Sequence, residues 1–244
     1  MANKNIRLSI IIPAYNEALH ITDTLEKFST YLSNFYPDSE IIIVDDGSTD
    51  NTSDKALSFK TGHTPIKLIR NEVNKGKGYS VRTGILAAHG DVILFSDADG
   101  SVPIDELPRF LTELESGAQV VIASRAVRDS NIIKKQVFWR QAMGKAFNVL
   151  VRLLAIGGIS DTQCGFKCFV REAAIYLFSQ SKIKHFAFDV EILYLARQKG
   201  YAVKQLGVKW IDSTKSTVNP FTDSARMFFD LLLIRIINAR HIGK

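Results

Sequence analysis

Cysteine is scarce in this chain of 244 residues, and long uncharged apolar runs are missing. Its two cysteines, Cys164 and Cys168, stand four residues apart without a second pair, which excludes a disulfide framework and a zinc site and favours a reducing compartment. No apolar run approaches the ~18 uncharged residues of a membrane-spanning helix. The opening "MANKNIRLS" leads directly into a predicted strand. We therefore expect neither a signal peptide nor a transmembrane span.

Two common nucleotide-binding signatures are also absent. The loop "NKGKG" at 74–78 lacks the pattern G-x-x-x-x-G-K-[ST], which excludes a P-loop kinase or GTPase. No G-x-G-x-x-G follows the first predicted strand, which argues against a dinucleotide oxidoreductase. No linker rich in Pro, Gly or Ser divides the chain, so we expect one continuous domain over residues 1–244.

Positive charge is concentrated in one window. The net charge is +6, and residues 125–152 account for all of it, with seven basic residues against the single acid Asp129. Such a window suggests an anionic partner, which could be a phosphate, a nucleic acid or a lipid surface; a solvated helix face remains an alternative. The basic residues are Arg125, Arg128, Lys134, Lys135, Arg140, Lys145 and Arg152.

The order of apolar and helical segments predicts an α/β fold. In the first half, short apolar runs alternate with helix-like segments, the pattern of an open, mostly parallel sheet flanked by helices. Asn16 is predicted to cap a helix from Glu17 to about Phe35. The second half is mainly helical, with a long helix around 135–156, a loop "SDTQCGFKCF" at 160–169 and a final helix that is apolar almost all round. Such a helix is buried, or it faces lipid or a partner.

Polar motifs follow four of the predicted strands. Because ligands bind at the carboxyl ends of the strands in open parallel sheets, these motifs predict one shared site. Asp97 and Asp99 project to the same side of an extended backbone and suit a hard divalent ion, Mg²⁺ or Mn²⁺, that takes other oxygens from a substrate phosphate. The alternative is a turn whose aspartates cap the next helix. The motifs are "PAYNE" at 13–17, "DDGS" at 45–48, "KGKG" at 75–78 and "DAD" at 97–99.

These motifs resemble those of a known enzyme family. "SIIIPAYNE", "IIIVDDGSTDNT", "NKGKGYSVRTG" and "FSDADG" are similar to successive motifs of the family 2 inverting glycosyltransferases, which use nucleotide-diphosphate sugars on a GT-A-type, Rossmann-like fold. "DTQCGFKCF", "AFDVEILYLA" and "VKWIDSTKS" most resemble the polyprenyl-phosphate branch, in particular the dolichyl-phosphate β-glucosyltransferases. The resemblance runs from about Leu8 to Arg240. It implies a nucleotide-sugar half at about 1–125 and a C-terminal helical, acceptor- or membrane-side half at about 126–244.

The resemblance also implies a role for individual residues. Asp97 and Asp99 bind the metal, Asp189 and Glu191 lie near the sugar or the reacting centre, and the nucleotide side includes Pro13, Tyr15, Glu17, Asp45, Asp46, Lys75 and Gly76. Arg125 and Arg140 match positions expected to bind the acceptor phosphate, a role that the fork of an arginine suits. Gln163 and Lys167 are within possible reach of the donor.

The implied reaction moves glucose from UDP-glucose to a polyprenyl (dolichyl-type) phosphate with inversion, assisted by Mg²⁺ or Mn²⁺. The eukaryotic glucosyl enzymes usually begin with a membrane-spanning helix that this chain lacks, so we expect attachment on the cytoplasmic side of a membrane that is peripheral or supplied by a partner. "WIDSTKS" only approximates the related pattern, which leaves other donors such as GDP-mannose, and a non-lipid glycan acceptor, as alternatives. A non-catalytic nucleotide- or nucleic-acid-binding module is a remote one, and no nucleic acid is expected as a partner. The sequence does not fix the oligomeric state.

Overall fold

A seven-stranded, mostly parallel sheet forms the centre of the molecule. The computed structural model describes residues 7–60, 64–134, 157–211 and 222–238. The strand order is β3-β2-β1-β4-β7-β5-β8, in which β7 alone runs antiparallel to its neighbours, and a small second sheet pairs β6 with β9 in parallel. The strands are β1 (Leu8–Ala14), β2 (Ser39–Asp45), β3 (Ile66–Arg70), β4 (Val92–Ser96), β5 (Val120–Ser124), β6 (Asn131–Lys134), β7 (Phe166–Val170), β8 (Val203–Gly207) and β9 (Lys209–Ile211).

Helices cover both faces of this sheet. Side chains alternate along β1, so Ile10 and Ile12 enter one core with α1, α2 and α4, while Ile11 enters the other with α3, α5, α6 and α7. Because both faces are covered, the central strands are continuous apolar runs rather than alternating ones. The helices are α1 (Ile21–Phe35), α2 (Thr52–Ser58), α3 (Lys77–Leu86), α4 (Leu107–Glu115), α5 (Arg171–Gln180), α6 (Phe188–Lys199) and α7 (Thr222–Asn238), and a 3₁₀ turn at Ile104–Glu106 precedes α4.

The predicted α/β class and mostly parallel sheet are confirmed, but the predicted helix cap at Asn16 is wrong. The helix α1 begins at Ile21, and Asn16 adopts a left-handed backbone conformation with φ 56°. Its side-chain Oδ1 accepts a hydrogen bond from the Thr49 N–H at 2.9 Å. Asn16 therefore joins the turns that follow β1 and β2 and does not start a helix.

The loop predicted at 160–169 is also partly wrong, because its second half is strand β7. This strand is inserted between β4 and β5, with Phe95 and Ile122 opposite Lys167. A lysine in the middle of a short apolar run disfavours a buried strand by pattern alone. The tertiary structure permits the strand because Lys167 has a buried acidic partner, described below. The strand β6 was not predicted, and the predicted helix at 135–156 lies outside the described residues.

None of the helices in the described ranges has both the length and the apolar character needed to cross a bilayer.

Candidate active site

The carboxyl ends of β1, β2 and β4 meet at one edge of the sheet. Ala14 at the end of β1 is opposite Asp45 at the end of β2, and Asp97 directly follows β4 on the other side of β1. Pro13 is buried in the last part of β1, and Tyr15 lies half-buried just after that strand. The structure therefore brings the first, second and fourth polar motifs to a single edge, as predicted from the strand order.

Asp45 is fully buried and stabilises the turn after β2. One carboxylate oxygen accepts a hydrogen bond from the Ser48 N–H at 2.9 Å, and the other accepts one from the Ser53 hydroxyl. The Nε of Arg70 lies 3.7 Å from that second oxygen. Both carboxylate oxygens are therefore bonded to the turn after β2 and to α2, so Asp45 stabilises this part of the sheet edge.

Asp46 holds the glycine-rich loop that enters α3. Its carboxylate accepts hydrogen bonds from the Asn71 side-chain amide at 2.8 Å, from the Lys75 N–H at 3.0 Å and from the Gly76 N–H at 2.7 Å. Gly76 has φ 102°, and a Cβ atom there would overlap the Lys184 carbonyl oxygen. The third motif therefore joins the site through Asp46, with Gly76 required by both backbone conformation and space.

The carboxyl groups of Glu17, Asp97 and Asp99 lie near one another and concentrate negative charge at the sheet edge. Burial and the nearby Asp99 and Asp97 carboxylates raise the pKa of Glu17 to about 7. The Asp99 carboxylate accepts a hydrogen bond from the Ser101 N–H at 2.9 Å, which fixes the turn after β4. Gly165 packs so closely on Asp97 that a Cβ atom would overlap the carboxylate, and the Asp97 N–H donates to the Gly165 carbonyl at 2.9 Å.

The Lys77 ammonium partly offsets this charge. Its Nζ lies 2.7 Å from Asp97 Oδ1. Burial disfavours the ammonium, but Asp97 and Asp189 outweigh it and raise the pKa of Lys77 above its usual value. Lys77 is one of the two lysines in the loop at 75–78, and its contact with Asp97 was not predicted from the sequence. It connects the loop held by Asp46 to the carboxylates after β4.

Lys167 and Asp189 form a buried ion pair close to these carboxylates. The Nζ of Lys167 donates to Asp189 Oδ1 at 2.5 Å and to the Cys164 carbonyl at 2.7 Å, and both charged side chains are only 2% exposed. Burial raises the pKa of Asp189, and the Lys167 and Lys77 ammoniums oppose that effect. Asp189 lies in the first turn of α6, close to the Lys77 and Asp97 charges of the candidate site. Its carboxylate is held by the buried Lys167.

Glu191 lies apart from this group. It is fully buried, and its Oε2 accepts hydrogen bonds from the Lys182 N–H at 3.0 Å and the Ile183 N–H at 2.9 Å. Its Oε1 accepts one from the Asn238 side-chain amide at 3.3 Å. The contacts of Glu191 are with the loop before α6 and with the end of α7.

Arg125 is anchored by an acid that the sequence analysis did not single out. Its Nε and Nη2 donate to the two carboxylate oxygens of Asp161 at 2.7 and 3.0 Å, and its guanidinium lies 5.5 Å from the Trp210 ring centre. Burial disfavours the charged Asp161 carboxylate, but its pairing with Arg125 lowers the pKa to about 2. In the sequence, the only signal for this partner of Arg125 was that Asp161 is an acid in the polar loop after residue 157. Arg140 lies outside the described residues.

The donor set at Asp97 and Asp99 fits a hard divalent cation. Carboxylate oxygens are the ligands that Mg²⁺ and Mn²⁺ prefer, and the pKa of Glu17 is raised by burial and by the Asp99 and Asp97 charges beside it. In the part of the chain that the structure describes, no three His, Cys, Asp or Glu side chains form a metal-binding group by themselves. An ion bound to two aspartates commonly completes its shell with waters and substrate phosphate oxygens.

Known structures share this architecture. The glucosyl-3-phosphoglycerate synthase of Mycobacterium tuberculosis superposes with a TM-score of 0.70 at 19% identity, over 94% of this chain and 80% of that one. The same enzyme crystallised with Mn²⁺, UDP-glucose and phosphoglyceric acid gives a TM-score of 0.69 at 20% identity, over 94% and 79% of the two chains. These glycosyltransferase structures confirm the predicted GT-A fold.

Sequence comparison identifies the family. The profile of glycosyl transferase family 2 matches residues 9–175. The chain is 36% identical to a dolichyl-phosphate β-glucosyltransferase of Dictyostelium discoideum, over 95% of this chain and 74% of that protein. It is 35% identical to the enzyme of that name in Homo sapiens, over 94% and 75%. This chain therefore belongs to glycosyl transferase family 2 and, within it, to the family of the dolichyl-phosphate β-glucosyltransferases.

Proposed function

We propose that this enzyme transfers glucose from UDP-glucose to a polyprenyl phosphate of the dolichyl type, with inversion at the anomeric carbon. The observation that carries the proposal is the group of Glu17, Asp97 and Asp99 carboxylates at the sheet edge, beside the loop that Asp46 anchors. The similarity to dolichyl-phosphate β-glucosyltransferases over nearly the whole chain supplies the substrate class.

The donor binds along the ends of β1 and β2. The Lys75 and Gly76 N–H groups donate hydrogen bonds to the Asp46 carboxylate, which fixes the loop beside the nucleotide, so Asp46 acts by shaping that loop. Asp45 supports the same edge through the turn after β2. The residues we assign to the nucleotide side are Pro13, Tyr15, Glu17, Asp45, Asp46, Lys75 and Gly76.

The diphosphate lies by the carboxylates after β4. Asp97 and Asp99 would hold Mg²⁺ or Mn²⁺, which when bound offsets the negative charge that grows on the leaving diphosphate. The Lys77 ammonium, 2.7 Å from Asp97, adds positive charge at the same place. Asp189 is held by Lys167 and orients groups at the reacting centre, whereas Glu191 supports α6 through the contacts described above.

The acceptor phosphate is ionised at neutral pH and therefore needs no base to remove a proton. One of its oxygens forms the bond to the anomeric carbon while the bond from that carbon to UDP breaks, and UDP leaves with the electron pair, so configuration inverts. We assign Arg125 and Arg140 to this phosphate. Asp161 holds the Nε–Nη2 side of the Arg125 guanidinium, and the Nη1 side faces the phosphate in this proposal. Since the acceptor is a lipid, the enzyme works as a peripheral protein at the cytoplasmic surface of a membrane.

The test is transfer of labelled sugar into lipid. Purified protein is incubated with UDP-[¹⁴C]glucose, Mg²⁺ or Mn²⁺ and a polyprenyl phosphate, and label is measured in the organic phase. A panel with GDP-mannose and other UDP-sugars, and with soluble acceptors, separates glucose transfer to lipid from the alternatives. Asp99→Asn is expected to abolish transfer, whereas the matched control Asp91→Asn, an exposed acid at the opposite end of β4, is expected to keep it. Absence of labelled lipid with every donor refutes the proposal.

A further inference from the structure

The helix α7 presents an apolar surface to solvent on the side away from the core. Five large apolar side chains are exposed along it, with Phe229 at 67% and Ile236 at 70%, against the full burial of Leu231 and Ile234 on the other side. Because successive helical residues are separated by ~100°, the five fall in one continuous band opposite the buried side. We call this band the outer face of α7; it consists of Phe228, Phe229, Leu232, Leu233 and Ile236.

Two arginines border the outer face. At ~100° per residue, Arg226 lies along one side of the band and Arg235 along the other, and both are exposed. The acid Asp230 lies beyond Arg226 and is half-buried; burial raises its pKa, and the nearby His185 and Arg226 oppose that effect. An apolar band with a cation along each side matches a bilayer surface, where apolar side chains enter the acyl boundary and arginines reach the headgroups.

The inner side of α7 is tied to the loop before α6. Asn238 donates to Glu191, and the Lys182 ammonium donates to the Ile237 carbonyl at 3.3 Å. The loop between α5 and α6 that these contacts hold continues to Lys184, whose carbonyl accepts a hydrogen bond at 3.0 Å from the N–H of Tyr79 in the first turn of α3. The outer face therefore belongs to a helix that is tied, through one loop, to the edge where the donor binds.

We propose that the outer face of α7 docks on an anionic bilayer surface and thereby brings the active site to the headgroup layer. The inference rests on the proposed lipid acceptor for its purpose. Charge favours a bilayer over a second copy of the chain, because two outer faces packed together would bring Arg226 and Arg235 of one copy near those of the other. Anionic headgroups complement both arginines.

The test measures binding of the full chain to vesicles without donor or acceptor, so that it does not depend on transfer. Vesicles of phosphatidylcholine with about a third phosphatidylglycerol are floated with the protein. Phe229→Ser with Ile236→Ser is expected to lower binding at least ~10-fold, since two large apolar side chains no longer enter the bilayer. Arg226→Glu with Arg235→Glu is expected to lower it by roughly fivefold or more for each arginine, and only when anionic lipid is present.

Matched controls use side chains of similar exposure elsewhere. Leu57→Ser with Leu19→Ser removes two leucines that are each 67% exposed, and Lys67→Glu with Lys204→Glu reverses two exposed charges on edge strands; all four are expected to leave flotation unchanged. Thermal unfolding verifies that each variant is folded. Transfer to a short-chain, water-soluble polyprenyl phosphate is expected to persist in the serine variant, while transfer to a long-chain acceptor in vesicles falls.

Three results would overturn docking. The first is no flotation of the unaltered protein, and the second is flotation of the serine variant equal to that of the Leu19 and Leu57 control. The third is a dimer, seen by light scattering, that the serine variant converts to monomer with vesicle binding unchanged, which would assign the outer face to a second copy. A protein that floats as expected but transfers no sugar refutes the proposed function and leaves the docking inference standing.

Discussion

Replacing Lys167 by methionine removes one charge of the buried ion pair and leaves Asp189 without its nearest partner. Both side chains are 2% exposed and their charged atoms are 2.5 Å apart, so water cannot take the place of the lost ammonium. Removing one partner of a buried pair costs ~3–5 kcal/mol in the free energy of unfolding. Lys77 also favours the ionised form of Asp189, so we expect a loss near the lower end, about 3 kcal/mol.

The loss is measurable by urea unfolding, and it corresponds to a fall in Tm of roughly 6–12 °C for a chain of this size. The double variant Lys167→Met with Asp189→Asn removes the second charge and is expected to recover more than half of the lost stability, because the amide needs no counterion. Lys204→Met, at an exposed position on β8, serves as the control and is expected to change stability little. A loss below ~1 kcal/mol in Lys167→Met, or a double variant no more stable than the single one, refutes the reasoning.

Three further predictions concern the sheet edge. Asp99→Asn is expected to abolish metal-dependent binding of UDP, measured by calorimetry, with Tm nearly unchanged because Asp99 is partly exposed; undiminished binding contradicts the metal role. Gly165→Ala places a methyl group against the Asp97 carboxylate and is expected to reduce both turnover and stability, whereas a fully active variant excludes the close packing. Asp161, with a folded pKa of about 2 against the ordinary 3.8, contributes about 2 kcal/mol above pH ~4 that is lost as pH falls toward 2. Acid unfolding of Asp161→Asn, followed by circular dichroism, is expected to show a correspondingly shallower pH dependence, and an identical profile contradicts the pairing with Arg125.

The sequence patterns predicted the structure correctly where the local apolar runs agree with the geometry of a parallel sheet. Continuous apolar runs predicted β1, β2 and β4, and the rule that ligands bind at the carboxyl ends of strands gathered Glu17, Asp46 and Asp97 at one edge. The patterns failed at Asn16, where a residue type typical of a helix cap takes a left-handed turn conformation instead. Local propensity cannot distinguish these two uses of asparagine, since both rely on a short side chain that bonds nearby backbone groups.

The sequence by itself determined the α/β class, the edge that carries the site and the family, because each depends on the order of motifs along the chain. Only the tertiary structure decided what the charged groups contact. Strand β7 accommodates Lys167, a residue unfavourable in a buried strand, because its ammonium meets Asp189 from a helix 22 residues further on. Asp161 beside Arg125 and Lys77 beside Asp97 are likewise partners that are distant in the chain. A buried charge is stable only beside its counterion, and that proximity is created by folding rather than by spacing in the sequence.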